Sequence, residues 1–208
     1  NTPAYAVLKR VLESASRQSL DALTQGWLTQ PLGMKDTAFW VPPDRVARLA
    51  DAFDSDPQKA GLWKWVRVEA DPAKRYRLGG AGTVTTAADY LRFAQMMLNG
   101  GELDGVRLLS KKTVEYMLSD HIPGLAGSPA PTTGPGYGFG LGFGIRRQDG
   151  FAIAPGSTGD AMWAGAGGTS FTIDPKEKIV GVFMAAAPTP RLHTRNLFKN
   201  LIYGAVIK

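Results

Sequence analysis

Thr169-Ser170-Phe171-Thr172-Ile173, then Asp174-Pro175-Lys176-Glu177, then Ile179-Val180-Gly181-Val182-Phe183-Met184-Ala185 is the stretch that decides the fold. Two short runs rich in β-branched and aromatic residues flank a turn built on Asp-Pro, the pattern of two antiparallel strands. Upstream, Gly136 to Ile145 alternates glycine with Tyr137, Phe139, Leu141, Phe143 and Ile145, which reads as one strand with an apolar face and a bare face. Such a bare face suits a second element packing tightly over it. Downstream, Leu192, Leu197, Leu201, Ile202 and Val206 recur within a helix over about Arg191 to Ile207. Three antiparallel strands and a covering helix make one pair of packed layers.

The earlier half reads as helices. Thr2-Pro3 caps a first helix to about Ser14 through Tyr5, Leu8, Val11 and Leu12. Ser19 caps a second, ending before Pro31, with Leu20, Leu23, Trp27 and Leu28 inward. Residues 41 to 78 form a long excursion with one short hairpin around Leu62 to Arg67. Gly79 to Gly82 is a turn cluster, and Thr85-Thr86 caps a helix with Tyr90, Leu91, Phe93, Ala94, Met97 and Leu98 on its apolar side. Gly100-Gly101 stops it. Ser110 caps a further helix through Val114, Met117 and Leu118, and 122 to 136, rich in Pro, Gly and Ser, reads as an exposed loop. There are no repeats and no second domain boundary.

Bulk composition removes several function classes. The 208 residues are 44% hydrophobic, 20% charged and 10% aromatic, ordinary for a chain with a real core and unlike a disordered one. No stretch approaches the roughly 18 consecutive apolar residues of a membrane span. The net charge of +6 comes from 24 Lys and Arg against 18 Asp and Glu. These cations are scattered, as in Arg45 and Arg48, Arg146-Arg147, and Lys176 and Lys178, and no basic run alternates with stacking aromatics. A solvated basic face, not a nucleic-acid site, is the expectation. With no cysteine and two histidines, thiolate chemistry and zinc are not expected, nor any other metal or cofactor.

No self-sufficient active site emerges. Neither His121 nor His193 is preceded by a Gly-x-Ser-x-Gly elbow, and both read as surface residues. No Ser or Thr has Lys three positions later; Ser110-Lys111-Lys112-Thr113 places its lysines too early. The glycines from 136 to 144 mimic a phosphate loop only at relaxed spacing and lack a following helix N-terminus. Trp163-Ala164-Gly165-Ala166-Gly167-Gly168-Thr169 is different, since it leads into a strand with few side chains to screen its N–H groups. It fits an oxyanion hole, a docking edge for a substrate strand, or a plain tight turn.

The order of landmarks carries a resemblance. Pro31-Leu32-Gly33-Met34-Lys35-Asp36-Thr37 is followed by Gly79-Gly80-Ala81-Gly82 and by Thr85 to Phe93. Leu108-Leu109-Ser110 with Thr113-Val114 comes next, then Tyr137 to Gly142, Trp163-Ala164-Gly165 and Ile173-Asp174-Pro175. The series resembles class C β-lactamases, penicillin-binding-protein-like D-aminopeptidases and β-lactamase-like esterases, over about residues 5 to 206. The implied fold is a mixed α/β fold of the α+β type, an antiparallel sheet flanked by helices. It is the C-terminal part of the β-lactamase/transpeptidase-like fold, with 1–208 as one incomplete domain.

The family uses a Ser-x-x-Lys nucleophile, a Tyr-x-Asn and a Lys-Thr-Gly strand edge. The first is absent here. By the resemblance, Asn1 is the asparagine of the second, Trp163-Ala164-Gly165 occupies the place of the third as the substrate-binding edge, and Ala166 donates its backbone N–H to the oxyanion. Tryptophan in place of lysine removes the cation that would pair with a β-lactam carboxylate and offers an aromatic wall instead, which points to uncharged esters.

The expectation is therefore a serine hydrolase acting through an acyl-enzyme on a small ester or amide, its nucleophile supplied by an N-terminal segment or second chain of the same enzyme. Without that segment a sheet edge and an apolar helix face would be exposed. The competing readings are a non-catalytic binding or scaffold protein that kept half the fold, and an unrelated enzyme using paired carboxylates, for which no persuasive pair exists. Asn1-Thr2-Pro3-Ala4-Tyr5 shows no export signal. Periplasmic or secreted placement, common in the family, would need a signal upstream, so the compartment stays open.

Overall fold

Two helical layers sandwich a five-stranded antiparallel meander in the computed structural model, which describes residues 2–64, 79–124 and 130–207. Helix α1 (Thr2–Ser16) is followed by α2 (Leu20–Thr24), which runs into a π-helical turn at Gln25–Thr29. A 3₁₀ turn covers Pro43–Arg48 and a second π-helical turn Lys59–Trp63. Helix α3 (Ala87–Leu98) precedes a two-stranded ribbon, β1 (Glu102–Leu103) and β2 (Val106–Arg107), and α4 (Lys111–Met117). After α5 (Ala130–Thr133) come β3 (Tyr137–Phe139), β4 (Gly144–Arg146), β5 (Ala161–Ala164), β6 (Ser170–Asp174), β7 (Ile179–Phe183) and α6 (Arg191–Gly204). The mixed helix-and-antiparallel-sheet class is the one expected. Among the described residues no helix is long and apolar enough to cross a membrane.

The helix starts follow from their caps. Ser19, Thr86 and Ser110 each accept a hydrogen bond from the backbone N–H three residues on, which satisfies one of the orphan donors of a first helical turn. Asp89 then joins two distant landmarks, because its carboxylate accepts from Asp36 N–H at 2.7 Å and Thr37 Oγ1 at 2.8 Å. Arg92 of the same helix donates to the Leu32 carbonyl. The Pro31–Thr37 segment is thus strapped along α3.

Alternation along the strands sorts side chains between the two faces. Phe143, Ile145, Ala161, Phe171 and Ile173 point to the α3 side and form the core with Leu32, Met34, Ala94, Met96, Met97 and Val114. Full burial of Leu32, Met96, Met97 and Ile173 contributes roughly 1.5–3 kcal/mol apiece. Arg146, Met162, Ser170, Thr172 and Asp174 point to the α6 side.

The sheet differs from expectation in two places. Gly136 to Ile145 is not one strand but the β3–β4 hairpin, pairing Tyr137 with Arg146 and Phe139 with Gly144. The chain reverses over Gly140–Phe143, where Gly142 adopts φ 93°, a region that glycine enters without strain. Ala161–Ala164, not foreseen as a strand, is the central β5. The tight packing expected over the glycines does occur. A Cβ on Gly138 would lie 2.2 Å from Asp120 Oδ1, and one on Gly140 2.4 Å from the Met117 carbonyl oxygen. Asp120 cannot retreat easily, being held by Arg147 and by the N–H groups of Phe139 and Ile122. Gly138→Ala is expected to destabilise the chain by about 1–3 kcal/mol, read as a lower urea midpoint at unchanged slope.

Other corrections concern faces. Trp27, expected inward, is 64% exposed, and Leu91 is also largely outside. Leu62 and Trp63 sit in a helical turn, so no strand begins there; the rest of that expected hairpin, from 65, lies outside the described residues. Of the expected loop 122–136, residues 125–129 lie outside the described residues and Ala130–Thr133 is helical.

The last helix is inside out relative to its leucines. Leu192, Leu197 and Leu201 face outward, while Arg195 and Lys199 are buried against the sheet with Phe198 and Ile202 alongside. The reason is the face beneath, where Asp160, Asp174 and Thr172 are polar and covered. Arg146 is likewise buried, not part of a solvated basic surface. Val7, Leu8, Val11 and Leu12 of α1 are exposed, and β7 has a strand partner on one side only among the described residues.

Candidate active site

The Trp163 turn is built by the β5–β6 pairing. Trp163 lies opposite Phe171 and Ala164 opposite Ser170. Past the strand end, Gly165 N–H donates to the Thr169 carbonyl at 2.8 Å, and Gly168 N–H returns to the Gly165 carbonyl at 3.2 Å. Glycine is required at 165, since a Cβ there would come within 2.3 Å of Thr169 Oγ1. From outside, Ala187 N–H bonds the Gly167 carbonyl and Arg195 of α6 donates to the Gly165 carbonyl. Every anchor takes a carbonyl or the N–H of residue 165 or 168. Ala166 is exposed at the tip, and its N–H is engaged by no described residue.

The structure therefore brings Trp163, Ala164, Gly165 and Ala166 into one strand end and turn. Trp163 is half-buried, its ring edge-on to Phe139 at 5.3 Å between centroids and packed against the main core. The other candidate, Asn1, lies outside the described residues. His121 is turned back onto the end of α4, with Nε2 2.8 Å from the Tyr116 carbonyl oxygen, and His193 is exposed on α6.

What the sequence reading missed lies behind the turn, on the α6 face. Asp160 accepts from Arg146 Nε at 2.7 Å, Lys199 Nζ at 2.9 Å and the Tyr137 hydroxyl at 3.1 Å. The Tyr137 oxygen accepts in turn from Arg146 and Lys199. Burial, with the Asp160 charge beside it, pushes the Tyr137 phenol up, so it remains a donor. Burial pulls the Lys199 ammonium down against the opposing pull of Asp160. Next to this network, Thr132, Thr133, Ile153, Met162, Phe198 and Lys199 line a cavity of about 270 Å³. Only alternation within the strands could have signalled these residues, and β5 itself was not read as a strand.

Comparison with known proteins agrees with this architecture. The chain matches the Beta-lactamase family over residues 1–203. Protein Rv1367c from Mycobacterium tuberculosis is 29% identical over 191 residues, covering 86% of this chain and 45% of that protein. Among solved structures, EstCE1, described as a hydrolase with promiscuous acyltransferase activity, superposes with a TM-score of 0.74 at 27% identity, covering 93% of this chain and 52% of that one. The simvastatin synthase LovD from Aspergillus terreus shares the fold at a TM-score of 0.68 and 23% identity, covering 94% of this chain and 53% of its own. The chain thus spans about half the length of the proteins it matches. It belongs to the β-lactamase family.

Proposed function

We propose that this member of the β-lactamase family is the C-terminal part of a serine hydrolase that forms an acyl-enzyme on ester or amide substrates, uncharged esters foremost. The observation that carries this reading is the Ala166 N–H, engaged by no described residue at the exposed tip of a turn that is pinned through the N–H groups of Gly165 and Gly168 and the carbonyls of Gly165 and Gly167. A donor fixed before the reaction begins stabilises a developing oxyanion without reorganisation at the moment of attack.

In this reading a Ser-x-x-Lys serine on an N-terminal segment attacks the ester carbonyl carbon and passes its proton to the neighbouring base. The negative oxygen of the tetrahedral intermediate accepts from Ala166 N–H and from the serine's own N–H. Collapse expels the alcohol, which takes up the proton, and water then releases the acid and restores the serine. Trp163, in place of a lysine, gives the edge no cation for a substrate carboxylate, which favours neutral esters. Asn1 would assist proton transfer as the asparagine of Tyr-x-Asn. The hydrolase and acyltransferase description of EstCE1 supports the same chemistry. The side of β7 that is unpaired among the described residues and the outward apolar residues of α1 and α6 supply a surface on which such a segment would seat.

Intact mass under native and denaturing conditions, with a short p-nitrophenyl ester assay, tests this. A second polypeptide carrying Ser-x-x-Lys, together with turnover, is the expected result. A lone chain of 22.3 kDa without turnover would assign the half-fold to binding instead.

A further inference from the structure

Among the described residues, the charges buried under α6 do not balance. Arg146, Lys199 and Arg195 are cations and Asp160 and Asp174 carboxylates, all more than nine-tenths buried. Arg146 and Lys199 share Asp160. Asp174 is occupied by the Tyr203 hydroxyl and by the N–H groups of Ser157, Lys176 and Glu177. Arg195 spends Nη2 on the Gly165 carbonyl. Its Nε, shut off from solvent, meets no acceptor among the described residues, nor does any described carboxylate pair with it. Burial first, and Arg191 beside it, pull its guanidinium pKa down from the usual value.

A guanidinium stays charged inside a protein, so it must find a counter-charge or bear the loss of its hydration. Arg195 lines the cavity of about 270 Å³; because Nε itself has no accessible surface, a guest there would meet the rest of the guanidinium. Asn196, Lys199 and the hydroxyl residues Thr132, Thr133, Ser170 and Thr172 share its polar lining, and Ile153, Met162 and Phe198 make the apolar wall. A forked planar donor matches a carboxylate, and the apolar wall matches a hydrocarbon stem. Size fits as well: since benzene occupies a cavity of about 150 Å³, this one holds roughly ten non-hydrogen atoms.

We infer that the cavity under α6 is a binding site for a carboxylate on a short apolar stem, with Arg195 as its counter-charge. The group can arrive as a free aliphatic acid or as a glutamate side chain of a second polypeptide; the recognising chemistry is the same. The site lies on the opposite face of β5 from the Trp163 ring. It stands apart from the acyl-transfer reading, except that the segment invoked there is one source of such a side chain.

Titration of the ¹⁵N-arginine-labelled chain with sodium hexanoate and with 1-hexanol tests it. The Arg195 Nε–Hε resonance, assigned by its loss in Arg195→Gln, should move saturably with hexanoate, which binds at least tenfold more tightly than hexanol. Arg195→Lys should keep hexanoate affinity within tenfold, and Arg195→Gln should lose tenfold or more. Arg195→Gln removes an unpaired buried charge and should fold; if it does not, the acid-against-alcohol contrast in the unsubstituted chain decides alone. Native mass spectrometry separates the sources, because a free acid adds a small mass lost on denaturation and a side chain brings a second polypeptide. The inference is overturned if acid and alcohol bind equally, or if hexanoate leaves the resonance unmoved once any second chain has been stripped away. Ester turnover plays no part in this outcome, so the two proposals fail separately.

Discussion

Ala166→Pro is expected to lower kcat for ester hydrolysis by about 10²–10³-fold in the assembled hydrolase, the usual consequence of deleting one oxyanion donor. Proline removes the N–H and little else. Ala166 does not have a positive φ, and residue 165, which proline would restrict, is a glycine and adapts. No described hydrogen bond uses the Ala166 N–H, so the turn keeps all its ties. Ala166→Ser and Ala166→Gly retain the donor and should stay within a few-fold of the parent. A donor aimed at the transition state acts on kcat more than on KM, so the split between the two constants matters as much as the size of the loss. A kcat within threefold of the parent in a folded Ala166→Pro protein would remove Ala166 from the mechanism and leave the Trp163 turn as a structural corner.

What could be read in advance, and what could not, follows from the length scale of each signal. Helix caps are local, and Ser19, Thr86 and Ser110 all cap helices as their neighbours indicate. The Thr169–Ile173 and Ile179–Ala185 strands were legible because the Asp174-Pro175 turn separates two β-rich runs. The β3–β4 reversal was not, because Gly138 and Gly144, needed for close packing, look the same in sequence as Gly142, needed for its positive φ. Alternation continues unbroken through the turn and hides it. Strand β5 escaped because Ala161-Met162-Trp163-Ala164 is too short to declare a period. Its loss concealed the face on which Asp160 and Lys199 meet, residues 39 apart in the chain. In α6 the leucines suggested an inward face. The helix instead turns its cations to a polar sheet face, a choice settled by tertiary pairing and invisible to periodicity. The turn at Trp163 could be placed from its glycines, but the bonds that pin its carbonyls come from Arg195 and Ala187, both distant in sequence.

Asp160→Asn should have the largest effect on stability, a loss of about 3–5 kcal/mol, the range for breaking a buried ion pair from one side. Asp160 is fully buried and is, among the described residues, the one carboxylate that Arg146 and Lys199 both contact. Asparagine preserves the shape but supplies a single acceptor oxygen, and its amide N–H groups face donors. Two cations would then remain where water cannot reach them. Against a total stability of roughly 5–15 kcal/mol, such a loss lowers the thermal midpoint by on the order of 10 °C for a chain of this size. Lys199→Met provides the contrast. It removes a cation that burial already disfavours and leaves Asp160 paired with Arg146 and Tyr137, so its cost should be less than half as large. Urea unfolding of both variants decides between uncompensated charge and simple packing. If packing governs, Lys199→Met, which leaves the room vacated by the ammonium, costs as much as Asp160→Asn, which leaves none. If charge governs, the nearly isosteric substitution is the worse of the two, and Asp160 holds the buried cations Arg146 and Lys199 in place.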